Sequence, residues 1–227
     1  MKKLLGPSLA EFFGTLLLVC VVVGSGIMGT NLSADAGIAL LINTISTIFA
    51  LALLILIIGP VSGAQFNPVV SLALLLQKKM PVSKFLAFVP AQILGAIAGA
   101  ILANLMFNLE AGQISEKYRI SSGTLIGEVL ATAGLLIVIL VLIQRKQENI
   151  IAISVAAWIG SAYFFTSSTS FANPAVTIGR VFSDTFAGIS PDSVLPFIGA
   201  QVIGMLIGIL GARLLQKSES SENGKGK

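Results

Sequence analysis

Six long apolar segments run through the chain, near residues 7–28, 37–59, 83–107, 122–143, 150–166 and 194–215. A helix rises about 1.5 Å per residue, so segments of this length can cross the ~30 Å hydrocarbon core of a bilayer. Hydrophobic residues make up 55% of the 227 residues and charged residues only 11%, which is far from the composition of a soluble globular protein. The sequence therefore predicts an all-α membrane protein with six transmembrane helices, and a lipid bilayer as its surroundings.

The positive charges predict the orientation of these spans. With a cytoplasmic N-terminus, eleven Lys and Arg residues lie inside and three lie outside, and basic residues favour the cytoplasmic side. We therefore expect a multi-pass protein of the inner or plasma membrane, with both termini cytoplasmic. The net charge of +4 is explained by these flanks, so no nucleic-acid partner is expected. The inside residues are Lys2, Lys3, Lys78, Lys79, Lys84, Arg145, Lys146, Arg213, Lys217, Lys225 and Lys227, and the outside ones are Lys117, Arg119 and Arg180.

Two Asn-Pro boxes lie between spans, one on each side of the membrane: Asn67-Pro68-Val69 and Asn173-Pro174-Ala175. Pro suits the first position of a helix, and Asn before it is a strong N-cap. The segments 67–77 and 173–183 each make ~16 Å of helix, about half a bilayer. We expect two re-entrant half-helices that meet near the midplane and together complete a seventh, discontinuous crossing.

Matched landmarks indicate an internal duplication. Glu11 matches Glu128, Asn67 matches Asn173, and an Ala-Gln-x-x-Gly motif occurs in spans 3 and 6. Three spans per repeat make the second copy inverted in the membrane. The predicted division is a first repeat at 1–107, an extracellular connecting loop at 108–121, a second repeat at 122–216 and a disordered cytoplasmic tail at 217–227. The paired glycines Gly95, Gly99, Gly204 and Gly208 predict close helix packing across the repeat interface.

Glu11 and Glu128 are acidic groups within spans, where an ionisable residue suggests a proton relay or a coupling site. Their presence in both repeats favours a structural role instead, in which each anchors a loop by accepting hydrogen bonds from its backbone N–H groups. Asn67 and Asn173 have two readings as well. They are N-caps in either case, and at matching depths they would also point amide donors into a lumen.

Duplicated Asn-Pro-Ala-type boxes, a Glu in spans 1 and 4 and Ala-Gln-x-x-Gly in spans 3 and 6 resemble the major intrinsic proteins, the aquaporin and aquaglyceroporin family. The resemblance covers almost the whole chain and implies a passive channel assembled as a homotetramer, with water and small neutral solutes as its partners. Val69 departs from the usual third residue of the first box. The family usually has Arg after the second box, and here that position is Val176.

Aligned without gaps from the boxes, the resemblance places the outer selectivity constriction at Thr47, Ser161, Ser170 and Val176. Val in place of Arg is similar to bacterial members linked to arsenic resistance. We therefore expect passage of uncharged solutes such as water, glycerol, urea, arsenous acid and antimonous acid, with ions and protons excluded. The alternatives are a strictly water-selective channel and an ion-coupled secondary transporter, since inverted repeats with broken helices are common among transporters.

Arg180 lies four residues after Val176 and on the same helix face. It could line the outer vestibule and replace the missing guanidinium, or it could be a solvated or Asp184-paired interfacial residue. Tyr163, Phe164 and Phe165 at the end of span 5 are interpreted as an aromatic belt. The chain has no His and a single cysteine, Cys20, so no cofactor, metal site or enzymatic activity is expected.

Overall fold

Within residues 2–225, which the computed structural model describes, with side chains for 4–218, six helices are long and apolar enough to span a membrane. The predicted six spans are confirmed; the first, second and sixth helices extend beyond their apolar segments, and the bounds of the other three agree with the prediction within one residue. The last two positions of the predicted tail, Gly226 and Lys227, lie outside the described residues. The helix bounds are α1 Lys2–Leu32, α2 Ala36–Ser62, α3 Pro68–Leu76, α4 Val82–Met106, α5 Ser122–Gln144, α6 Ile151–Phe165, α7 Pro174–Gly179 and α8 Pro191–Lys225, with 3-10 turns at Glu148–Ile150 and Arg180–Phe182.

The two short helices, α3 and α7, begin at the prolines of the Asn-Pro boxes. Each has Pro at its first position, where a missing N–H costs nothing, and the preceding Asn as its cap. Helix α3 ends at Leu76, close to the predicted bound. Helix α7 is shorter than the predicted segment because it tightens into the 3-10 turn Arg180–Phe182.

The two halves of the chain repeat the same packing. Helix α4 lies against α1, and α8 lies against α5 in the same way, while α2 and α6 pack together between the halves. A Cβ at Gly99 would lie 2.2 Å from the backbone oxygen of Leu16, and one at Gly208 would lie 2.7 Å from that of Ala133. The glycines therefore bring helices together within each repeat, and the prediction that they pack across the repeat interface is wrong.

The C-terminal segment differs from the expected disordered tail. Helix α8 continues past the predicted membrane exit to Lys225. Gln, Lys and Glu are good helix formers, so a helix already nucleated in the membrane extends through them at little cost.

Candidate functional site

The two half-helices meet end to end through their capping asparagines. The side-chain amide of Asn67 donates to the carbonyl oxygen of Ala172 at 2.8 Å, and that of Asn173 donates to the carbonyl oxygen of Phe66 at 2.7 Å. The side-chain oxygens accept from Val69 N at 3.1 Å and from Ala175 N at 2.9 Å. Each Asn thus caps its own helix and holds the opposite loop.

Glu11 fixes the loop that leads into α3. Its carboxylate accepts hydrogen bonds from Ser62 Oγ at 2.6 Å, Gln65 N at 2.9 Å and Phe66 N at 2.7 Å. Gln92 of α4 adds a fourth bond at 2.8 Å. The carboxylate is completely buried, and these donors provide the charge compensation that a buried anion requires.

Glu128 fixes the second loop in the equivalent way. It accepts from Phe171 N at 2.9 Å, from Ala172 N at 2.8 Å and from Gln201 Nε2 at 2.6 Å. Gln201 also reaches Thr177 Oγ1 of α7 at 2.9 Å, as Gln92 reaches Ser71 Oγ of α3 at 3.0 Å. This geometry is the one expected for a structural loop anchor in each repeat.

Both loops carry strained backbone at matching positions. Ala64 and Phe66 have positive φ in the first loop, and Ser170 and Ala172 have positive φ in the second. A side-chain-bearing residue in this region costs of order 1–3 kcal/mol, and it persists only where neighbouring contacts enforce it. The glutamate bonds to the loop N–H groups supply that enforcement, so the loops have one defined shape where they face the lumen.

A cavity of about 130 Å³ runs between the two halves and past both boxes, and it has room for several water molecules. Helices α1, α2, α5 and α6 contribute mostly aliphatic side chains to its wall. The polar part of the wall comes from the two box loops, including Asn67 and Asn173, and from Thr47, Tyr163 and Arg180. None of the described residues of α4 or α8 lines it. The Leu, Ile and Val residues of the lining are Leu18, Val22, Leu51, Ile55, Val70, Leu74, Leu135, Ile139, Ile143, Ile151, Val155, Ile159 and Val176.

The structure brings together three of the four expected constriction residues. Thr47, Ser170 and Val176 all line the cavity and are buried. Ser161 does not line it and is solvent- or lipid-exposed, so its assignment to the constriction is wrong. The face of α6 that lines the cavity carries Ile159 and residues at four-residue spacing, and Ser161 lies two residues further along. Two residues turn a helix by about 200°, which points Ser161 to the opposite side.

Tyr163 occupies the place assigned to Ser161. It is only 4% exposed, lines the cavity, and its hydroxyl lies 3.4 Å from Thr47 Oγ1. Phe164 and Phe165 are 55% and 53% exposed, as an aromatic belt requires, but the interpretation of Tyr163 as a third belt residue is wrong. The four-residue spacing of Ile151, Val155, Ile159 and Tyr163 was the sequence signal that could have identified it.

Arg180 lies at the α7 end of the cavity and lines it. Its side chain is 3% exposed, so the interpretation as a solvated interfacial residue is wrong. The Nε group donates to the carbonyl oxygen of Ala187, and the guanidinium carbon lies 3.5 Å from the ring centre of Phe171. Asp184 instead accepts from Ser115 Oγ at 3.2 Å and from Glu116 N at 3.1 Å, so the expected pair of Arg180 and Asp184 is not formed.

Two further cations lie around the same mouth. Arg119 donates from Nε to the carbonyl oxygen of Gly188 at 2.6 Å, and both Arg119 and Lys117 donate to that of Phe186 at 3.0 Å. Partial burial lowers the pKa of Lys117 to about 8, with Arg119 and Arg180 adding to the effect. Burial likewise lowers the pKa of Arg119 to about 10. Backbone carbonyls of 186–188 therefore hold all three cations of the mouth.

Comparison with known proteins identifies the group to which this chain belongs. The family model described as "Major intrinsic protein" matches residues 1–171, about three quarters of the chain. The chain belongs to the major intrinsic protein family. Members of this family are passive membrane channels rather than enzymes, and the buried glutamates, boxes and cavity of this chain fit that class.

Curated major intrinsic proteins match along most of their length. The chain is 44% identical over 206 residues to the aquaglyceroporin AqpS of Rhizobium meliloti, covering 91% of this chain and 88% of the relative. It is 32% identical over 226 residues to aquaporin Z of Brucella melitensis, covering 89% and 96%. Among solved structures, the aquaglyceroporin of Plasmodium falciparum superposes with a TM-score of 0.66 at 21% identity, covering 91% and 93%. That likeness shows a shared aquaporin fold.

Proposed function

We propose that this protein is a passive channel for small uncharged solutes larger than water, including glycerol, arsenous acid and antimonous acid, and that it excludes ions and protons. The observation that carries the proposal is the cavity itself, which passes both Asn-Pro boxes and is lined by Thr47, Ser170 and Val176. The 44% identical relative, whose name is aquaglyceroporin, supports the same solute class.

The two-sided wall of the cavity suits a polyol. One side is aliphatic, with Leu51, Ile139 and Val155 among its members, and the other carries the amides of Asn67 and Asn173. Each of these amides uses one N–H on the opposite loop and keeps a second donor for a passing hydroxyl. Glycerol and arsenous acid each present three hydroxyl groups, which one polar face can bind while the rest of the molecule contacts the aliphatic side.

The short side chains at the proposed constriction favour solutes larger than water. Val176 has a short aliphatic side chain where the family usually has the long guanidinium of Arg, and Thr47 and Ser170 carry hydroxyl groups. Tyr163 also lines the cavity close to Thr47, and we propose that its ring sets the upper size limit of the solute. The constriction in this proposal is therefore Thr47, Tyr163, Ser170 and Val176, with Arg180 beyond it.

Charge exclusion rests on the half-helices. Each N-terminus carries about half a positive charge, and both N-termini lie at the centre of the cavity. Arg180 adds a full charge at the α7 end. A cation or hydrated proton would have to pass three positive groups along a narrow, partly aliphatic path, and this arrangement opposes its entry.

The test is a swelling assay on proteoliposomes with water, glycerol, urea and arsenous acid, against empty liposomes. We expect glycerol and arsenous acid permeability well above that of empty liposomes, and no proton or sodium current. Permeability to water alone would favour the strictly water-selective alternative. Flux that saturates or follows an imposed pH gradient would instead identify a transporter.

The orientation and assembly expected from the sequence are proposals as well. We propose that both termini are cytoplasmic in the inner or plasma membrane, that residues 108–121 form an extracellular loop, and that the protein is a homotetramer. Exposed Tyr118 lies in that loop, so Tyr118→Cys should react with an impermeant thiol reagent from outside intact cells. Mass measurement of the purified protein in detergent tests the tetramer, and a monomeric mass would contradict it.

A further inference from the structure

Arg180 is a buried charge that forms no salt bridge with a described carboxylate, although the charge of Glu128 favours it at longer range. It is the only charged side chain among the described residues that line the cavity. One of its five N–H donors is used on the carbonyl oxygen of Ala187, and its face lies on the ring of Phe171. Charges taken out of water are normally paired with an opposite charge. The guanidinium therefore presents unused donors and a positive charge to the lumen.

Two further residues of the cavity wall carry hydroxyl groups with unused donors. Ser170 is 3% exposed, and its hydroxyl has no hydrogen-bond partner among the described residues. The hydroxyl of Tyr163 has only Thr47 at 3.4 Å, which is longer than an ordinary O–H···O hydrogen bond. A guanidinium, an unpartnered serine and a weakly bonded phenol thus line one cavity, and Ser170 directly precedes Phe171, whose ring lies on the guanidinium. We call Tyr163, Ser170 and Arg180 the donor cluster.

We propose that the donor cluster is a binding site for a small, planar, monovalent oxyanion of the nitrate type, and that the bound anion blocks the flux of neutral solutes. Anion binding is argued from the geometry of the donor cluster, whereas the block of flux rests on the proposed channel function. A planar oxyanion matches the guanidinium, which can give two parallel N–H···O bonds. Ser170 and Tyr163 then donate to the remaining oxygen lone pairs.

The rest of the lumen explains why such an anion stays bound instead of crossing. The half-helix N-termini contribute a positive field that holds it near the boxes. Beyond the boxes the wall becomes aliphatic, with Leu74, Ile143 and Ile151 facing the other end. An anion entering that part would lose its donors and its water without compensation. The anion therefore occupies the α7 end and closes the path.

Calorimetric titration of the purified protein with sodium nitrate, in a sodium gluconate background of equal ionic strength, tests binding independently of flux. We expect saturable binding in the wild type. Arg180→Gln should weaken it roughly tenfold or more, because a hydrogen bond to a charged group is lost. Ser170→Ala should weaken it about threefold. Because Ser170 Oγ has no hydrogen-bond partner among the described residues, this variant breaks no existing bond and keeps the test valid if Arg180→Gln fails to fold.

Lys117→Gln is the matched charge control. It removes one positive charge from the same mouth, but Lys117 does not line the cavity. Nitrate binding should therefore change far less in this variant than in Arg180→Gln. Absence of saturable binding in the wild type would overturn the proposal. So would equal binding in Ser170→Ala and the wild type, or a loss in Lys117→Gln as large as that in Arg180→Gln.

Glycerol swelling of proteoliposomes tests the block. Replacing gluconate by nitrate should lower wild-type permeability at least twofold at saturating nitrate, in proportion to the occupancy measured by calorimetry, and should leave Arg180→Gln unaffected. Nitrate that binds without changing glycerol flux would overturn the block. Wild-type protein that passes no glycerol in gluconate would overturn the proposed function, and the calorimetric result would still decide whether the anion site exists.

Discussion

Arg180 follows Val176 by one turn at the end of helix α7, and both side chains line the same cavity. In the proposed channel the guanidinium lies one turn beyond the proposed constriction, so a solute that enters from this end meets the charge before it meets Val176.

Restoring a guanidinium at the constriction should close the channel to larger solutes. Val176→Arg places a second long cation one turn from Arg180 and fills space beside Ser170. We expect glycerol permeability to fall about tenfold or more, which corresponds to roughly 1.4 kcal/mol of added barrier. Water permeability should fall less. Stopped-flow swelling measures both, with Val176→Leu as an uncharged control, and an unchanged glycerol rate would contradict the proposed constriction.

Tyr163 and Ser161 offer a direct comparison of two positions on one helix. Tyr163→Ala removes the ring that faces the lumen, so permeability to polyols longer than glycerol should rise several-fold. Ser161→Trp adds a ring on the exposed face of α6, where it should leave glycerol permeability unchanged. The same swelling assay reports both variants. If Ser161→Trp changed glycerol permeability and Tyr163→Ala left polyol permeability unchanged, Ser161 rather than Tyr163 would belong to the constriction.

The buried carboxylates should govern folding rather than solute choice. The Glu11 carboxylate accepts four hydrogen bonds. In Glu11→Gln one of its two oxygens becomes an NH2 group, which cannot accept hydrogen bonds from those donors. We expect the free energy of unfolding to fall by roughly 3 kcal/mol. Thermal unfolding in detergent measures this, and exposed Glu116→Gln is the control. A stable Glu11→Gln protein with altered solute preference would instead indicate a role in transport.

Two glycines of α8 allow the effect of packing on stability to be measured separately from the effect of helix propensity. A Cβ at Gly208 would lie 2.7 Å from the backbone oxygen of Ala133, whereas one at Gly199 would meet nothing within 4 Å. Gly208→Ala should therefore destabilise the protein by about 1–3 kcal/mol through overpacking. Gly199→Ala should stabilise it by about 0.5–1 kcal/mol, since Ala is the better helix former. Unfolding in detergent compares the pair, and destabilisation by both would refute the packing argument.

Lys117 should make stability depend on pH in the alkaline range. Its pKa is lowered to about 8 in the folded protein, from an ordinary value near 10.5. Between these values the unfolded chain binds more protons than the folded one, so the free energy of unfolding should rise as pH increases. Unfolding temperatures at pH 7.5 and 10 should show this gain in the wild type and a smaller one in Lys117→Gln. An equal gain in both would assign the effect to other groups.

The sequence predicted the features that depend on short patterns repeated in both halves. Asn67 and Asn173 are recognisable because an N-cap followed by Pro is a local signal. Glu11 and Glu128 could be assigned to the loops because each has a counterpart in the other repeat. The structure shows both pairs in the geometry expected for caps and anchors.

What the sequence did not predict depends on register and on loops. Alignment without gaps from the boxes predicts Ser161 in the constriction. Tyr163, two residues further along α6, lines the cavity instead. The burial of Arg180 depends on the carbonyl oxygen of Ala187 and on the ring of Phe171. Ala187 belongs to a loop without a repeated pattern, so no local signal announces that contact.

Among the side chains that the structure describes, none from α4 or α8 lines the cavity, and this divides the molecule into parts with different freedom to vary. These helices carry Gln92 and Gln201 behind the half-helices, and substitutions there change how firmly the boxes are held. Substitutions on the lumen faces of α2, α6 and the second box change what can pass. A new substrate preference can thus arise from a few lumen positions, while the glutamine-bearing helices keep the scaffold intact.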